Sequence, residues 1–399
     1  MKYISILDVC DLNDKTVKEY EGVKRYVATG DVSNGKIVSF SDVNYIKKPS
    51  RANRMVEKGE ILLAKMKETE KVLLIDEKNE DYIYSTGFFT LKPDTNKVNA
   101  EYIYYVLKSK YFQNEKDKLA KGATQKALNN AGFKKIKIPV PSKSMQEQIT
   151  EALKTTELIL IMRQQQIEAF QTLKQSIFLD MFGDPNSNPK RWKEDVLGNY
   201  LLNIKGGWSP KCHSREIVGD EWGVLKLSAI TQGNYNFEFN KALPQNIDPK
   251  VELEVRNNDL LFNRKNTPEL VGTTAFVFRT RKNLIFPDTI FRLELKEGLN
   301  KVFLWQLLSN PSTRKKIKQL ASGSAKSMSN ISQKNLKQLK IIIPNLTYQE
   351  QYANIVQQIE EQINVLSEGM NQMNMLYDSI LHKAFSGELF KEDNLKVCN

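Results

Sequence analysis

Between Tyr352 and Ile380, apolar residues alternate at steps of four and three: Tyr352, Val356, Ile359, Ile363, Leu366, Met370, Met373, Tyr377 and Ile380. That spacing keeps one stripe of a helix apolar along its length, which is the seam of a helix packed lengthwise on another. Moving back 203 residues lands on Ile149, Leu153, Thr156, Leu160, Arg163, Ile167, Phe170, Lys174 and Ile177, six of nine apolar in the same register. The likeness begins earlier still. IKIPVPSKSMQEQ from Ile136 lies over LKIIIPNLTYQEQ from Leu339, and the match runs without a gap to Phe182 over Phe385. Ser144 and Thr347 stand three residues ahead of Glu147 and Glu350, the spacing of a capping box, so the helices are expected to begin there. Gly369 is the one Gly or Pro inside either helix.

Helices of about 36 residues would be ~54 Å long, more than one compact domain needs. Two such seams in register are expected to pack on each other. The first helix leaves one block of the chain and enters the next, while the second leaves that next block. Pairing therefore demands an antiparallel stalk, with the blocks at its opposite ends.

The blocks repeat as well, more weakly. VEKGEILLAKM (Val56–Met66) parallels VRNNDLLFNRK (Val255–Lys265), and FFTLKP (Phe88–Pro93) parallels IFRLEL (Ile290–Leu295). EYIYYVLKS (Glu101–Ser109) parallels KVFLWQLLS (Lys301–Ser309), and KGATQKALN (Lys121–Asn129) parallels SGSAKSMSN (Ser322–Asn330). Several short strands, one or two short helices and long polar loops per block predict an α+β fold in two similar domains. The boundaries read as a first domain at 1–143, a central helix at 144–182, a second domain at 183–346, a closing helix at 347–386 and a tail at 387–399.

Charge follows the same division. Net charge is +12, with +7 in residues 1–140, −1 in 141–182, +11 in 183–345 and −5 in 346–399. Two basic modules separated by non-basic helices suit a polyanion held at two places. No apolar run approaches the ~18 residues needed to cross a bilayer, and MKYISILDVCD lacks a signal-peptide pattern, so the expected compartment is the cytoplasm. Cys10, Cys212 and Cys398 lack the spacing of a disulfide framework or a zinc site.

The order of basic module, IPxP-like strand with QEQ helix, MFGDPNSNPKRW and second copy resembles the specificity subunit of type I restriction–modification systems over essentially the whole chain. The resemblance implies a non-catalytic subunit whose two target recognition domains each read one half of a split double-stranded DNA site. It implies helices that set the spacing and dock two methyltransferase subunits, with restriction and translocation subunits joining the complex. S-adenosylmethionine, ATP and Mg²⁺ would belong to those partners, and this chain would carry no cofactor. The recognition blocks are expected to diverge freely. The first block lacks an obvious counterpart of SNPKRWKEDVLGNY; FKEDN at Phe390 and MKYISILDV at the start both suit the place.

Readers of base edges need side chains delivered by loops beyond rigid strands. Lys65 and Lys67 in the first block, and Arg264, Lys265 and Asn266 in the second, occupy such places. Small residues in Lys121-Gly122-Ala123-Thr124-Gln125-Lys126 and in Gly323-Ser324-Ala325-Lys326-Ser327 free backbone N–H groups for a phosphate. Trp208, Ser209 and Lys211 form a further candidate, whose indole stacks on a base or simply packs. Each of these also reads as ordinary surface.

Other chemistry fails on geometry. Pro287-Asp288 followed by Glu294-Leu295-Lys296 imitates a nuclease signature, but on one strand, FPDTIFRLELK, the carboxylates would lie ~20 Å apart, too far to share a metal. Cys212-His213 has no partners at metal-ligand spacing, and no phosphate-binding loop or methyltransferase motif occurs. A stand-alone endonuclease and a coiled-coil scaffold remain the competing readings. The first needs cleavage by this chain, and the second leaves two basic blocks unexplained.

Overall fold

The computed structural model describes residues 2–122, 126–321 and 328–386. The chain divides into two compact units, one from the described residues of Met1–Gln164 and Ser367–Asn399, the other from those of Gln165–Leu366.

In the first unit, four antiparallel strands lie in the order Cys10–Leu12, Phe88–Pro93, Ile61–Ala64, Val72–Leu74. Successive side chains of a strand point to opposite faces, and here both faces are covered. Ile61 and Leu63 join the core of helix Ala100–Lys108, whereas Leu62 and Ala64 pack with Val27 and Tyr84 of a second sheet. That sheet runs Ser41–Val43, Lys24–Val27, Ile83–Ser85, Ala52–Arg54, with its middle pair parallel.

The second unit repeats the plan. Its first sheet is Leu201–Gly206, Ile290–Leu295, Leu260–Asn263, Thr274–Phe276, and its second is Asn240–Ala242, Gly223–Leu225, Leu284–Ile285 with the last two parallel. Leu260 and Phe262 face one core and Leu261 the other. The fold is α+β with an internal repeat, as the pattern predicts.

Structure also corrects the alignment of the copies. Asn99 and Asn300 cap helices Ala100–Lys108 and Lys301–Ser309, so the helix pairing proposed from sequence is one residue out. Asn129 and Ser332 cap the later short helices Asn130–Phe133 and Gln333–Lys337, and Met66 bridges Ala127 as Lys265 pairs with Asn330. The small-residue loop is thus two residues longer in the second copy, a shift invisible where both loops are made of small residues. The missing counterpart in the first block is the start of the chain. Lys2–Ser5 pairs with Lys137–Val140 as Lys193–Val196 pairs with Lys340–Ile343. FKEDN lies outside the described residues.

The two long helices span Lys143–Phe182 and Leu346–Ser386. Their caps are Ser142 and Asn345, whose side-chain oxygens accept the N–H of Met145 at 3.4 Å and of Thr347 at 3.0 Å. Ser144 and Thr347 therefore lie inside the helices, because the residue right after Pro141 or Pro344 already takes the capping position. The first Gln of each Gln-Glu-Gln has a structural task. Gln146 is fully buried, accepts the N–H of Asn99 at 2.8 Å and donates to Pro141 O at 3.0 Å. Gln349 does the same with Asn300 (2.9 Å) and Pro344 O (2.8 Å). Each helix start is thereby bolted to the cap of its own domain's helix.

Every seam position in both helices is buried or half-buried. In the first unit the opening turns of the central helix (Ile149, Leu153) share a core with the closing turns of the last (Ala384, Phe385). In the second unit Phe178 and Phe182 share a core with Tyr352 and Val356. Start meets end in both units, so the pairing is antiparallel. Phe385 packs on Tyr102 with ring centroids 5.7 Å apart, and Phe182 on Phe303 at 4.8 Å, the same contact twice. The three polar seam residues have physical partners too. Thr156 returns its hydroxyl to Ala152 O at 2.8 Å, Lys174 pairs with Glu360, and Arg163 fills the space over Gly369, where a Cβ would collide with its guanidinium. That close approach accounts for the glycine.

Candidate nucleic-acid interface

One edge of the second domain gathers most of its nominated residues. Strand Leu260–Asn263 is buried throughout and ends at Arg264, whose N–H donates to Thr289 O at 2.9 Å. The Arg264 guanidinium lies 5.0 Å from the Phe291 ring centroid, and its Nε donates to Asn330 Oδ1 at 3.3 Å. Ring and amide hold it half-buried and leave its terminal nitrogens as donors, the fork that suits a guanine edge. Lys265 is exposed beside it. Asn266 is buried, with its Oδ1 accepting the Thr267 N–H at 2.8 Å, so its side chain serves the turn.

Gly207 brings a second segment onto this edge. A Cβ there would collide with the carbonyl oxygens of Phe286 and Pro287. The close crossing lets Trp208 N–H donate to Phe286 O at 3.0 Å and joins the Ser209 hydroxyl to the Asp288 carboxylate. Trp208 is half-buried under the Lys250 ammonium, 4.9 Å from its ring centroid, while Lys211 is exposed. Asp288 sits in a turn, and the strand begins only at Ile290, so FPDTIFRLELK is not one continuous strand. Asp288 is engaged by Ser209, and Glu294 lies on the strand 3.9 Å from Arg292. Among the described residues no group of three or more His, Cys, Asp or Glu is placed to hold a metal.

The first domain builds the corresponding edge. Lys65 N–H donates to Gly87 O at 3.0 Å and its ammonium lies 4.8 Å from the Phe89 ring centroid. Lys65 and Arg264 thus share one arrangement, a cation at a strand end held over the aromatic ring at the second position of the neighbouring strand. Each side chain adds one hydrogen bond, Arg264 to Asn330 and Lys65 from its Nζ to Thr86 O at 2.9 Å. Burial first, then the Arg54 charge, lowers the Lys65 pKa. Lys67 N–H donates to Lys126 O at 2.9 Å and its ammonium pairs with Glu68 at 3.1 Å. Lys121, Gly122 and Lys126 are exposed at the mouth of the small-residue loop. Thr124, Gln125, Gly323, Ser324, Lys326 and Ser327 lie outside the described residues.

Sequence reasoning missed a neighbouring segment of the first domain. Thr86 N–H donates to Arg51 O at 2.9 Å, which joins loop Asn44–Arg51 to the Lys65 edge. Lys47 and Arg51 are exposed there, and Tyr20 and Tyr45 meet edge-on at 5.7 Å. The signal was NYIKKPSR, an aromatic followed by a run of cations.

A family model described as "Type I restriction modification DNA specificity domain" matches residues 1–169 and 220–373. The chain belongs to that family. Its two matches fall on the two copies, and a type I specificity subunit is a DNA sequence-recognition protein. Among relatives, the EcoEI specificity subunit of Escherichia coli is 29% identical over 50% of this chain and 34% of its own length. The StySPI specificity subunit of Salmonella potsdam is 24% identical over 73% of this chain and 66% of its own. The chain thus spans about a third and just under two thirds of these relatives. In fold it is similar to the S subunit of a type I restriction–modification system from M. genitalium, with a TM-score of 0.58, 15% identity and 96% of each chain covered. No helix among the described residues is long and apolar enough to cross a membrane.

Proposed function

We infer that this chain is the non-catalytic DNA-reading subunit of a type I restriction–modification assembly, with each domain contacting one half of a bipartite duplex site. The observation that carries this reading is the duplicated edge, Lys65 over Phe89 and Arg264 over Phe291. A cation held on a ring at the end of a buried strand is pre-organised to meet a base edge or a phosphate. The basic loops beside it supply register on the backbone. The paired helices set the spacer and present docking surfaces to two methyltransferase subunits, and restriction subunits join from there. S-adenosylmethionine, ATP and Mg²⁺ act in those partners, in the cytoplasm.

Binding to duplex DNA at several salt concentrations, with the methyltransferase partner present, tests this reading. Affinity should fall linearly in log–log form as salt rises, and one split sequence should stand above all others. Replacing residues 183–345 with the matching block of a relative should change one half of the methylated motif in the host genome. A chain indifferent to DNA would be a scaffold, and alteration of both halves would end the idea of independent reading.

A further inference from the structure

Ile46 is 91% exposed in loop Asn44–Arg51 of the first domain. A single exposed apolar residue ordinarily needs no explanation. Three observations set this one apart. The loop is held in one shape: the Lys47 N–H donates to Asn44 Oδ1 at 2.8 Å, the Lys48 Nζ donates to Ala52 O at 2.9 Å, and the Ala52 N–H donates to Pro49 O at 2.8 Å. Lys48 also lies 5.4 Å from the Tyr45 ring centroid, and the Tyr20 hydroxyl donates to Val43 O at 3.0 Å, so the base of the loop is braced. Cations surround the tip, Lys47 on one side and Arg51 beyond Pro49, and the loop adjoins the Lys65 edge through Arg51 and Thr86.

The third observation comes from the other copy. The turns Thr29–Asp31 and Leu227–Ala229, with the strand registers beside them, place Ser41–Val43 over Lys241–Leu243, so Ile247 lies one residue beyond the position of Ile46 and is the apolar residue of the matching loop. Ile247 is folded onto the core of its domain and is followed by Asp248-Pro249 instead of Lys47-Lys48. The loop's apolar residue is packed where the loop carries one acid and one lysine, and presented to solvent where it carries three cations.

We propose that Ile46 is a specificity-determining residue of the first domain that reads a thymine methyl group in the major groove. This rests on the DNA-reading function proposed above. The thymine methyl is the apolar group that base edges display in that groove, and a rigid branched side chain between phosphate-seeking cations is suited to it. Lys47 and Arg51 would contact the flanking phosphates and bring the tip to the bases.

The test uses the full chain with its methyltransferase partner and the methylated site, with each thymine of the first half-site replaced in turn by deoxyuridine. With wild-type protein, one replacement should weaken binding about tenfold. Ile46→Ala should produce a similar loss on the unmodified site and no further loss at that deoxyuridine, while every other position keeps its preference. A tenfold change is ~1.4 kcal/mol, within the range of one good base contact. Absence of sequence preference in the wild type would sink the DNA-reading function itself. Wild-type selectivity with no thymine coupled to Ile46, or a uniform loss across all sequences in Ile46→Ala, overturns the proposal alone.

Discussion

Glu157 and Glu360 hold the same position in the two helix copies, 203 residues apart, and the molecule satisfies them differently. Glu360 is buried and pairs with Lys174 on the central helix, whose ammonium lies 5.2 Å from the Trp305 ring centroid. Glu157 accepts hydroxyl protons from Tyr105 at 2.9 Å and Tyr377 at 2.6 Å, and the Lys108 ammonium at 2.6 Å. Tyr377 stands where the other copy has Lys174. One acid takes its cation from the facing helix; the other takes it from a helix of its own domain and adds two hydroxyls. A duplicated backbone therefore does not make duplicated energetics. At this position the second unit uses one buried ion pair, while the first spreads the same task over three donors.

The largest expected effect comes from removing what both nodes share. Ile363 is buried and Leu366 half-buried along the seam, so Ile363→Asp with Leu366→Asp places two carboxylates where apolar side chains pack. Losses above about 4 kcal/mol are expected in urea titrations. Where the variant is still folded, binding to split sites of varied spacer length should lose its optimum. A spacer preference equal to wild type would show that the seam does not set the spacing.

Next comes the contrast itself. Lys174→Ala strands a buried carboxylate and should cost about 3–5 kcal/mol. Tyr377→Phe removes one of three donors and should cost about 1.5 kcal/mol. Lys174→Met with Glu360→Leu should recover most of the first loss, because an apolar pair of similar size replaces the ion pair. Equal losses in the two single variants would erase the distinction drawn between the units.

Acid should sharpen the same contrast. Burial alone would raise the Glu157 carboxyl, but the Lys108 ammonium and the Tyr377 hydroxyl outweigh it and hold its pKa below the ordinary value. A carboxylate depressed on folding contributes stability that is present above the unfolded-state value, near 4.5, and is lost as pH falls through the lower folded value. Glu157→Gln should flatten the loss of stability below about pH 4.5. Urea midpoints at pH 3, 4, 5 and 7 follow this, and an unchanged acid limb would remove Glu157 as its source.

The seam, its direction and the correspondence of strands Ile61–Ala64 and Leu260–Asn263 were legible because period and repeat reinforce one another. Caps were not. Ser144 has the capping-box spacing and Ser142, three residues before Met145, does not, yet the position of the preceding proline gives the cap to Ser142. The role of Gln146 was also hidden, since its partners Asn99 and Lys97 are far away in sequence. At the candidate interface, the strand-end cations were visible while their rings were not. Nothing local to Arg264 announces Phe291. Asn266 shows the reverse error: a residue type suited to adenine turned its amide into its own loop.

The smallest effects separate reading from anchoring within the second domain. Arg264 is held by Phe291 and Asn330, so its terminal nitrogens are presented in one orientation. Direct readout through such a fork is worth ~1–3 kcal/mol at one base position. Arg264→Ala should relax specificity at a single position of the second half-site and leave the other half untouched. Lys326, in the small-residue loop, is expected to meet a phosphate, which carries no sequence information. Lys326→Ala should weaken all sequences about equally, and the slope of log affinity against log salt should become shallower by about one unit. A panel of single-base variants measured at two salt concentrations separates the outcomes. A uniform loss in Arg264→Ala would make it an anchor like Lys326, and the stacked cation would then position the duplex in both domains while loop residues beside it do the reading.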